Sequence, residues 1–512
     1  MVKIYFCFLF FLIGAFQPLE SAMAQAKLLK IAIPTPKFEL DPHKLEDLYS
    51  MFVATQMHRS LFRILPDGQV KNDLADSWTR DSAGKKYEFK LKTSFFSDGT
   101  PIHSSHLAES IKRSFLLGAS ISSELSVIRG ADLAIKKKNF SRLGIFTPDL
   151  QTLVIELERP FSLLPMILGL VDCSALKINK YDQIVNFLTP NLPVSGPYTF
   201  KTVETESIRL QRTKNLQNEF APNEIEFHFV PADKAYESAK TGGTHSIDLY
   251  YVDKIQKAEL LKMAWRPYAT SLGSMTSLLI NPEKIPLAAR SYLTSALNSN
   301  KIVELISWQT IQPALGLIPE GLPGSILPNE VNLSASKEKN QDFKKAKAIF
   351  KTLPPLQLEF YFPSLLIQKA AEIIKSELAV AGIKVELKPI PIRDYFERLL
   401  SKKADLMISR KGIDYPDGFS NLAYFRSGIP GNYFHLEGKS FDKLLNNLFL
   451  IEEPSQRIEA YKLAQFEILK SHTVFPLFQG SESSGLWSGD VEFVPEHPLG
   501  LQFMHLSEIR LK

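Results

Sequence analysis

At 512 residues the chain is long enough for about two to four domains of roughly 100 to 200 residues each, and folding at that size hides about three quarters of the unfolded surface, so no disulfide or metal staple is required. Hydrophobic residues make up 45% and charged residues 22%, which argues against long disorder, collagen and coiled coil. The 60 Lys and Arg against 55 Asp and Glu leave a net charge of +5, scattered in short pieces such as Lys136 to Lys138, whereas a nucleic-acid binder concentrates its basic residues.

Lys3 precedes an apolar run over residues 4–16, followed by Pro18 and a polar stretch that ends in Ala22-Met23-Ala24-Gln25-Ala26. That pattern is a secretory signal peptide, residues 1–24, with cleavage expected after Ala24 and Ala26 as the rival site. A membrane span needs about 20 apolar residues, and neither this run nor any later one reaches that length. The mature chain is therefore expected to be exported and soluble. Cys7 lacks the Leu-small-small context that precedes a lipidated cysteine, so no lipoprotein anchor is expected. Cys173 is then the one cysteine left after export; it has no internal partner to bridge and reads as a small buried apolar residue.

Further along, Tyr87, Phe89 and Leu91 alternate with Glu88, Lys90 and Lys92, the period of a half-buried strand. His103 and His106 are spaced to share a metal, but they follow the turn composition Asp98-Gly99-Thr100-Pro101 with no third ligand nearby, which favours surface or capping roles. Ile225, Phe227 and Phe229 alternate with Glu226 and His228 as a second strand, and Pro and Gly cluster in a loop between Pro313 and Pro328. Leu356, Leu358, Phe360 and Phe362 alternate as a strand; Ile367, Ala371, Ile374, Leu378 and Ala381 then recur at helical spacing, with Gly382 as the stop. Ile383, Val385 and Leu387 predict a strand, Tyr395 to Leu400 a helix, and Ala404 to Ser409 a third strand. Strand, helix, strand, helix, strand is the signature of an α/β lobe with a parallel sheet. Ser455, just after Pro454, is the expected N-cap of a helix that places Ile458, Tyr461 and Ile468 on one side.

Signatures of catalysis are missing. Gly-x-Ser-x-Gly, His-Glu-x-x-His, Gly-x-x-x-x-Gly-Lys and Cys-x-x-Cys do not occur. The stretch Gly412-Ile413-Asp414-Tyr415-Pro416-Asp417-Gly418 follows the third strand of the α/β lobe, where open parallel sheets meet their ligands. Pro416-Asp417-Gly418 assigns Asp417 to a turn, while Asp414 is open to a ligand, a cap or the surface.

The order of several short segments resembles the family 5 extracellular solute-binding proteins of ABC transporters, over nearly the whole mature length. Leu40-Asp41-Pro42-His43-Lys44-Leu45-Glu46 is similar to the family's Leu-Asp-Pro opening. Leu74-Ala75-Asp76-Ser77-Trp78, Tyr87-Glu88-Phe89-Lys90-Leu91, Phe96-Ser97-Asp98-Gly99-Thr100-Pro101, Ser195-Gly196-Pro197-Tyr198 and Asp414-Tyr415-Pro416-Asp417 resemble its later signatures, in the family's order.

This resemblance implies an α/β, periplasmic-binding-protein-like two-lobed clam with an extra inserted domain. Its mixed sheets would be covered by helices. Residues 27–55, 190–270 and 484–512 would form domain I, residues 56–189 an inserted domain II, and residues 271–483 domain III. By the same resemblance the chain is a periplasmic, monomeric, non-enzymatic receptor without a cofactor. It would capture a solute, foremost a short peptide, by hinge closure and deliver it to an ABC permease. A non-peptide solute such as a nickel chelate, haem or a sugar is the alternative within the family, and an exported peptide or glycan hydrolase the one outside it. Carried over residue by residue, Asp414 matches the aspartate that holds a peptide's α-ammonium, Glu46 and Leu48 the segment whose backbone pairs with the ligand, and Arg410 and Lys411 lie on the same approach. Lys411 stands where oligopeptide binders tend to carry Trp, and Gly273 to Ile280 has no aromatic residue where those binders have tyrosine.

Overall fold

The computed structural model describes residues 27–33, 38–45, 47–248, 252–268, 274–307, 311–328, 330, 343–362, 364–427, 432, 439–448, 450–480, 485–494 and 497–512. The signal segment 1–24 and Glu46 lie outside the described residues.

Three larger sheets organise the described residues, beside two of two strands each. The first has seven strands in the order Arg266–Tyr268, Gly485–Trp487, Ser246–Asp248, Leu28–Ile33, Glu224–Phe229, Ser207–Arg212, Tyr198–Val203. Leu28–Ile33 runs parallel to Glu224–Phe229, and Leu29, Ile31, Ile33, Ile225 and Phe227 all point into one core. Alternation in the sequence produces this directly, because period-2 side chains share one face of a strand. Helix Leu48–Met57 covers that core with Phe52, Val53 and Met57. Asp47 caps it, accepting the backbone N–H of Tyr49 and Ser50.

A second, antiparallel sheet has the order Ala75–Arg80, Lys86–Leu91, Thr152–Glu156, Ile145–Asp149. Tyr87, Phe89 and Leu91 are buried as their alternation requires, and helix Ser104–Leu117 adds Leu107, Ala108, Ile111 and Phe115 to the same core. His103 and His106 are spent on this helix: His106 Nδ1 accepts the His103 N–H at 2.9 Å, closing a capping box. Cys173 is buried.

The third sheet holds Ile311–Pro313, Val474–Gly480, Ser274–Ile280, Leu406–Gly412, Leu356–Phe362 and Val385–Pro391 in that order. The strand–helix–strand–helix–strand reading is realised: Leu356–Phe362 runs parallel to both Val385–Pro391 and Leu406–Gly412, with helices Leu365–Val380 and Ile392–Leu400 between them. The sheet as a whole is mixed, because Ser274–Ile280 joins Leu406–Gly412 antiparallel and carries Val474–Gly480 on its other edge. Gly382 takes a left-handed φ of 80° just past the C-cap Ala381, a conformation that costs glycine little. One expectation is corrected. The helix Pro454–Leu469 is capped by Glu453, whose carboxylate accepts the Ser455 N–H, so Ser455 lies inside the first turn and Pro454 is the N1 residue.

No helix among the described residues is long and apolar enough to cross a membrane.

Candidate functional site

Strand alternation decides which of the basic residues on Leu406–Gly412 meets the acidic loop. Met407 faces the core shared with the four-stranded sheet, and Leu406 and Ile408 face the opposite core. Lys411 is therefore on the Met407 side and Arg410 on the other. The hydrogen bonds agree: the Arg410 guanidinium donates to Ser274 Oγ at 2.9 Å, while Lys411 Nζ stands 3.4 Å from Asp414 Oδ2.

Beyond the strand the chain bends back through helix Phe419–Leu422 and the 3-10 turn Ala423–Phe425. The Asp414 N–H donates to Ser420 Oγ at 2.8 Å, and Asp417 Oδ1 accepts the Phe419 N–H at 2.9 Å and the Tyr461 hydroxyl at 2.7 Å. Asp417 is thus committed to the turn, as its Pro-Asp-Gly context predicts. This bend brings Tyr424 over the site: its hydroxyl donates to the Asp414 carboxylate, and Lys411 Nζ lies 3.2 Å from its ring centroid, a cation–π contact. Asp414, Lys411 and Tyr424 form one cluster. The Asp414 side chain is 37% and the Lys411 side chain 21% exposed, so a solute can reach both.

Acidic groups from a distant part of the chain lie close enough to feel this cluster's charge. Glu124, in the turn Glu124–Val127, stands 3.6 Å from the Arg426 guanidinium, which also donates to Ser123 Oγ at 2.6 Å. Burial pushes the Glu124 carboxyl up to about 7; Arg426 opposes the shift and Asp414 reinforces it. Asp172 is likewise pushed up to about 7, by burial first and then by the charges of Asp414 and Glu124. Burial also draws the Lys411 ammonium below its ordinary range, against the pull of Asp414.

These shifts give stability a direction with pH. In the folded chain Glu124 keeps its proton to about pH 7, against an ordinary value of 4.5, so between those limits the folded state binds more protons than the unfolded one. The contribution of Glu124 to stability therefore falls as pH rises through that window. The melting temperature of Glu124→Gln relative to wild type is therefore expected to rise as pH goes from about 5 to about 8, because only wild type loses this carboxyl's contribution over that window. An unaltered slope in scanning calorimetry would show that the carboxyl is solvated.

Leu48 is the first residue of helix Leu48–Met57 and packs against the core of the seven-stranded sheet, so its own backbone is helical and any extended pairing is confined to residues before it. Sequence reasoning missed Tyr424, Ser420, Glu124, Asp172 and Arg426. Among the described residues no group of three His, Cys, Asp or Glu is placed to hold a metal.

Three larger sheets, the seven-stranded one built from discontinuous segments, with a charged cluster at the carboxyl end of a strand, define a multi-lobed α/β binding protein. The chain belongs to the bacterial extracellular solute-binding proteins, family 5, whose middle-region model matches residues 69–433. It is 25% identical over 469 residues to the periplasmic oligopeptide-binding protein OppA of Escherichia coli strain K12, covering 86% of this chain and 84% of that protein. Among solved structures, the Escherichia coli murein tripeptide binding protein MppA superposes with a TM-score of 0.82 at 18% identity, over 95% of this chain and 99% of the other. The Haemophilus influenzae OppA complex with RPPGFSPFR gives 0.80 at 19% identity, again over 95% and 99%.

Proposed function

We propose that the chain is the exported, periplasmic receptor of an ABC importer, which closes on a short peptide and hands it unaltered to a membrane permease. The observation that carries this reading is the partly exposed Asp414–Lys411–Tyr424 cluster at the carboxyl end of Leu406–Gly412, in a chain similar to an oligopeptide-binding protein in sequence and to a murein tripeptide-binding protein in fold. One end of the peptide sits at this cluster, and its backbone pairs with the segment before Leu48 that includes Glu46, as in β-augmentation. Arg410 is held by Ser274 on the far face of its strand and takes no direct part.

The receptor acts as a monomer of three domains: residues 27–55, 190–270 and 484–512; residues 56–189; and residues 271–483. This division is supported by the sheets, since every strand of the seven-stranded, four-stranded and six-stranded sheets falls within one of these sets. The signal segment 1–24 routes the chain out of the cytoplasm without a lipid anchor. Closure is a hinge motion in which the ligand binds the closed form more tightly than the open one.

Isothermal titration of the mature protein with peptides tests the reading. Asp414→Ala removes the acceptor that orients both Lys411 and Tyr424, and is expected to weaken peptide binding by about 1.5–3 kcal/mol, roughly ten- to a hundredfold. Unchanged affinity would remove Asp414 from the site. A thermal-shift panel that stabilised the protein with a metal chelate, haem or a sugar and with no peptide would replace the peptide reading altogether.

A further inference from the structure

We infer that Lys411 is the resident counter-ion of Asp414, and that the peptide end seated at this cluster is an uncharged acyl-blocked terminus in place of a free ammonium. The inference rests on the peptide reading above and specifies the ligand class of the same site.

A free α-ammonium would need two things here, an uncompensated carboxylate and room beside it. The chain already supplies the cation. Lys411 Nζ stands 3.4 Å from Asp414 Oδ2, the oxygen that also accepts the Tyr424 hydroxyl, and the ring face of Tyr424 is taken by the same ammonium at 3.2 Å from its centroid. The Lys411 backbone is paired with Met275 inside the six-stranded sheet, and its ammonium is held from two sides, by the Asp414 carboxylate and by the Tyr424 ring. A second ammonium brought to Asp414 would meet Lys411 at only a few ångströms, and the repulsion between like charges is strong where water is partly excluded. Glu124 offers no alternative seat, since it faces Arg426 at 3.6 Å.

A blocked end reverses the balance. An ammonium carries three donors and no acceptor. One is directed at Asp414, which leaves Lys411 able to donate to the carbonyl oxygen of an N-acyl group. That bond is charge-assisted and brings no second positive charge into the cluster. The side chain remains 21% exposed, so an arriving solute can reach it.

The test is isothermal titration of the mature protein with a set of tri- to pentapeptides, each supplied with a free and with an N-acetylated amino end, at neutral pH. Wild type is expected to bind the acetylated forms at least about tenfold more tightly, and Lys411→Met to reverse the order by about the same factor. Lys411→Gln, which keeps a hydrogen-bond donor without the charge, is expected to fall between them. Free-amino peptides binding wild type as tightly as acetylated ones, or more tightly, overturn this inference and leave the peptide receptor standing. Wild type binding no peptide of either kind overturns the receptor reading itself, and the inference with it. Thermal melts identify a variant that fails to fold, in which case the wild-type comparison alone decides.

Discussion

Arg113→Ala is expected to cost about 3–5 kcal/mol of folding stability, the range for stripping one partner from a buried ion pair. Its guanidinium grips Asp41 with two parallel bonds, Nη1 to Oδ1 at 2.6 Å and Nη2 to Oδ2 at 2.7 Å, and both side chains are nearly sealed from water, at 6% and 4% exposure. The same Nη1 lies 2.8 Å from His43 Nδ1, and His43 is pushed down to about 3, by burial first and then by Arg113, so the ring is neutral at any physiological pH. Alanine would leave the buried Asp41 carboxylate with only the His43 N–H, 3.1 Å away, and Lys44, 3.8 Å away and itself 56% exposed, to answer it. Burial works to raise the Asp41 pKa, but hydrogen bonds and charge from Arg113 prevail and hold it below 3.8. The pair therefore stabilises the fold above the ordinary carboxylate range and loses that contribution as pH falls below it. Urea unfolding measures the loss. A double variant, Asp41→Asn with Arg113→Met, should recover most of it, because no unpaired charge is left behind. A single-variant loss below about 1 kcal/mol would mean that water reaches the carboxylate.

Gly196→Ala should destabilise by about 3 kcal/mol, the upper end for overpacking a filled interior. A β carbon at this position would stand 2.3 Å from the Met57 carbonyl carbon, 2.5 Å from its oxygen and 2.6 Å from the His58 nitrogen. All three are backbone atoms, with no side-chain rotation to relieve them. The approach is fixed by the Gly196 N–H donating to Met57 O at 2.8 Å, and by Ser195 Oγ accepting the Arg59 N–H and donating to Ala175 O, each at 2.9 Å. Space is the constraint here, not a left-handed backbone. Gly99 is the contrast: its φ is 86° with nothing within 4 Å, so alanine there meets only conformational strain of about 1–2 kcal/mol. Equal losses for the two variants in urea titrations would contradict this distinction.

The sequence made visible those elements whose burial is one-sided. Lys86–Leu91 and Glu224–Phe229 alternate between dry and wet, and period 2 survives in their residues. Ser274–Ile280 and Val474–Gly480 are buried almost along their whole length, so they carry no period, and the antiparallel half of the six-stranded sheet was hidden with them. In the charged cluster, Asp414 was legible because it follows a strand end, and Lys411 through the family resemblance. Tyr424 was not, since only the bend at Ser420 returns it to Asp414, and Glu124 arrives from another part of the chain through packing that no local pattern encodes. Ser455 misled because a good capping residue followed a proline, yet the glutamate before that proline holds the helix start.

Gly485–Trp487 fits between Ser246–Asp248 and Arg266–Tyr268, and further ties join the two ends of the chain: Gln56 donates to Met504 O and accepts the Leu506 N–H, and Lys27 Nζ donates to Leu511 O. The slot waits for a strand made long after both of its neighbours. Until then a nascent chain leaving the ribosome carries two unzipped ladder edges, ready partners for aggregation. Closing so large a loop is slow, which delays maturation of this lobe until Gly485–Trp487 has emerged and makes loss of that short strand far more damaging than its length suggests.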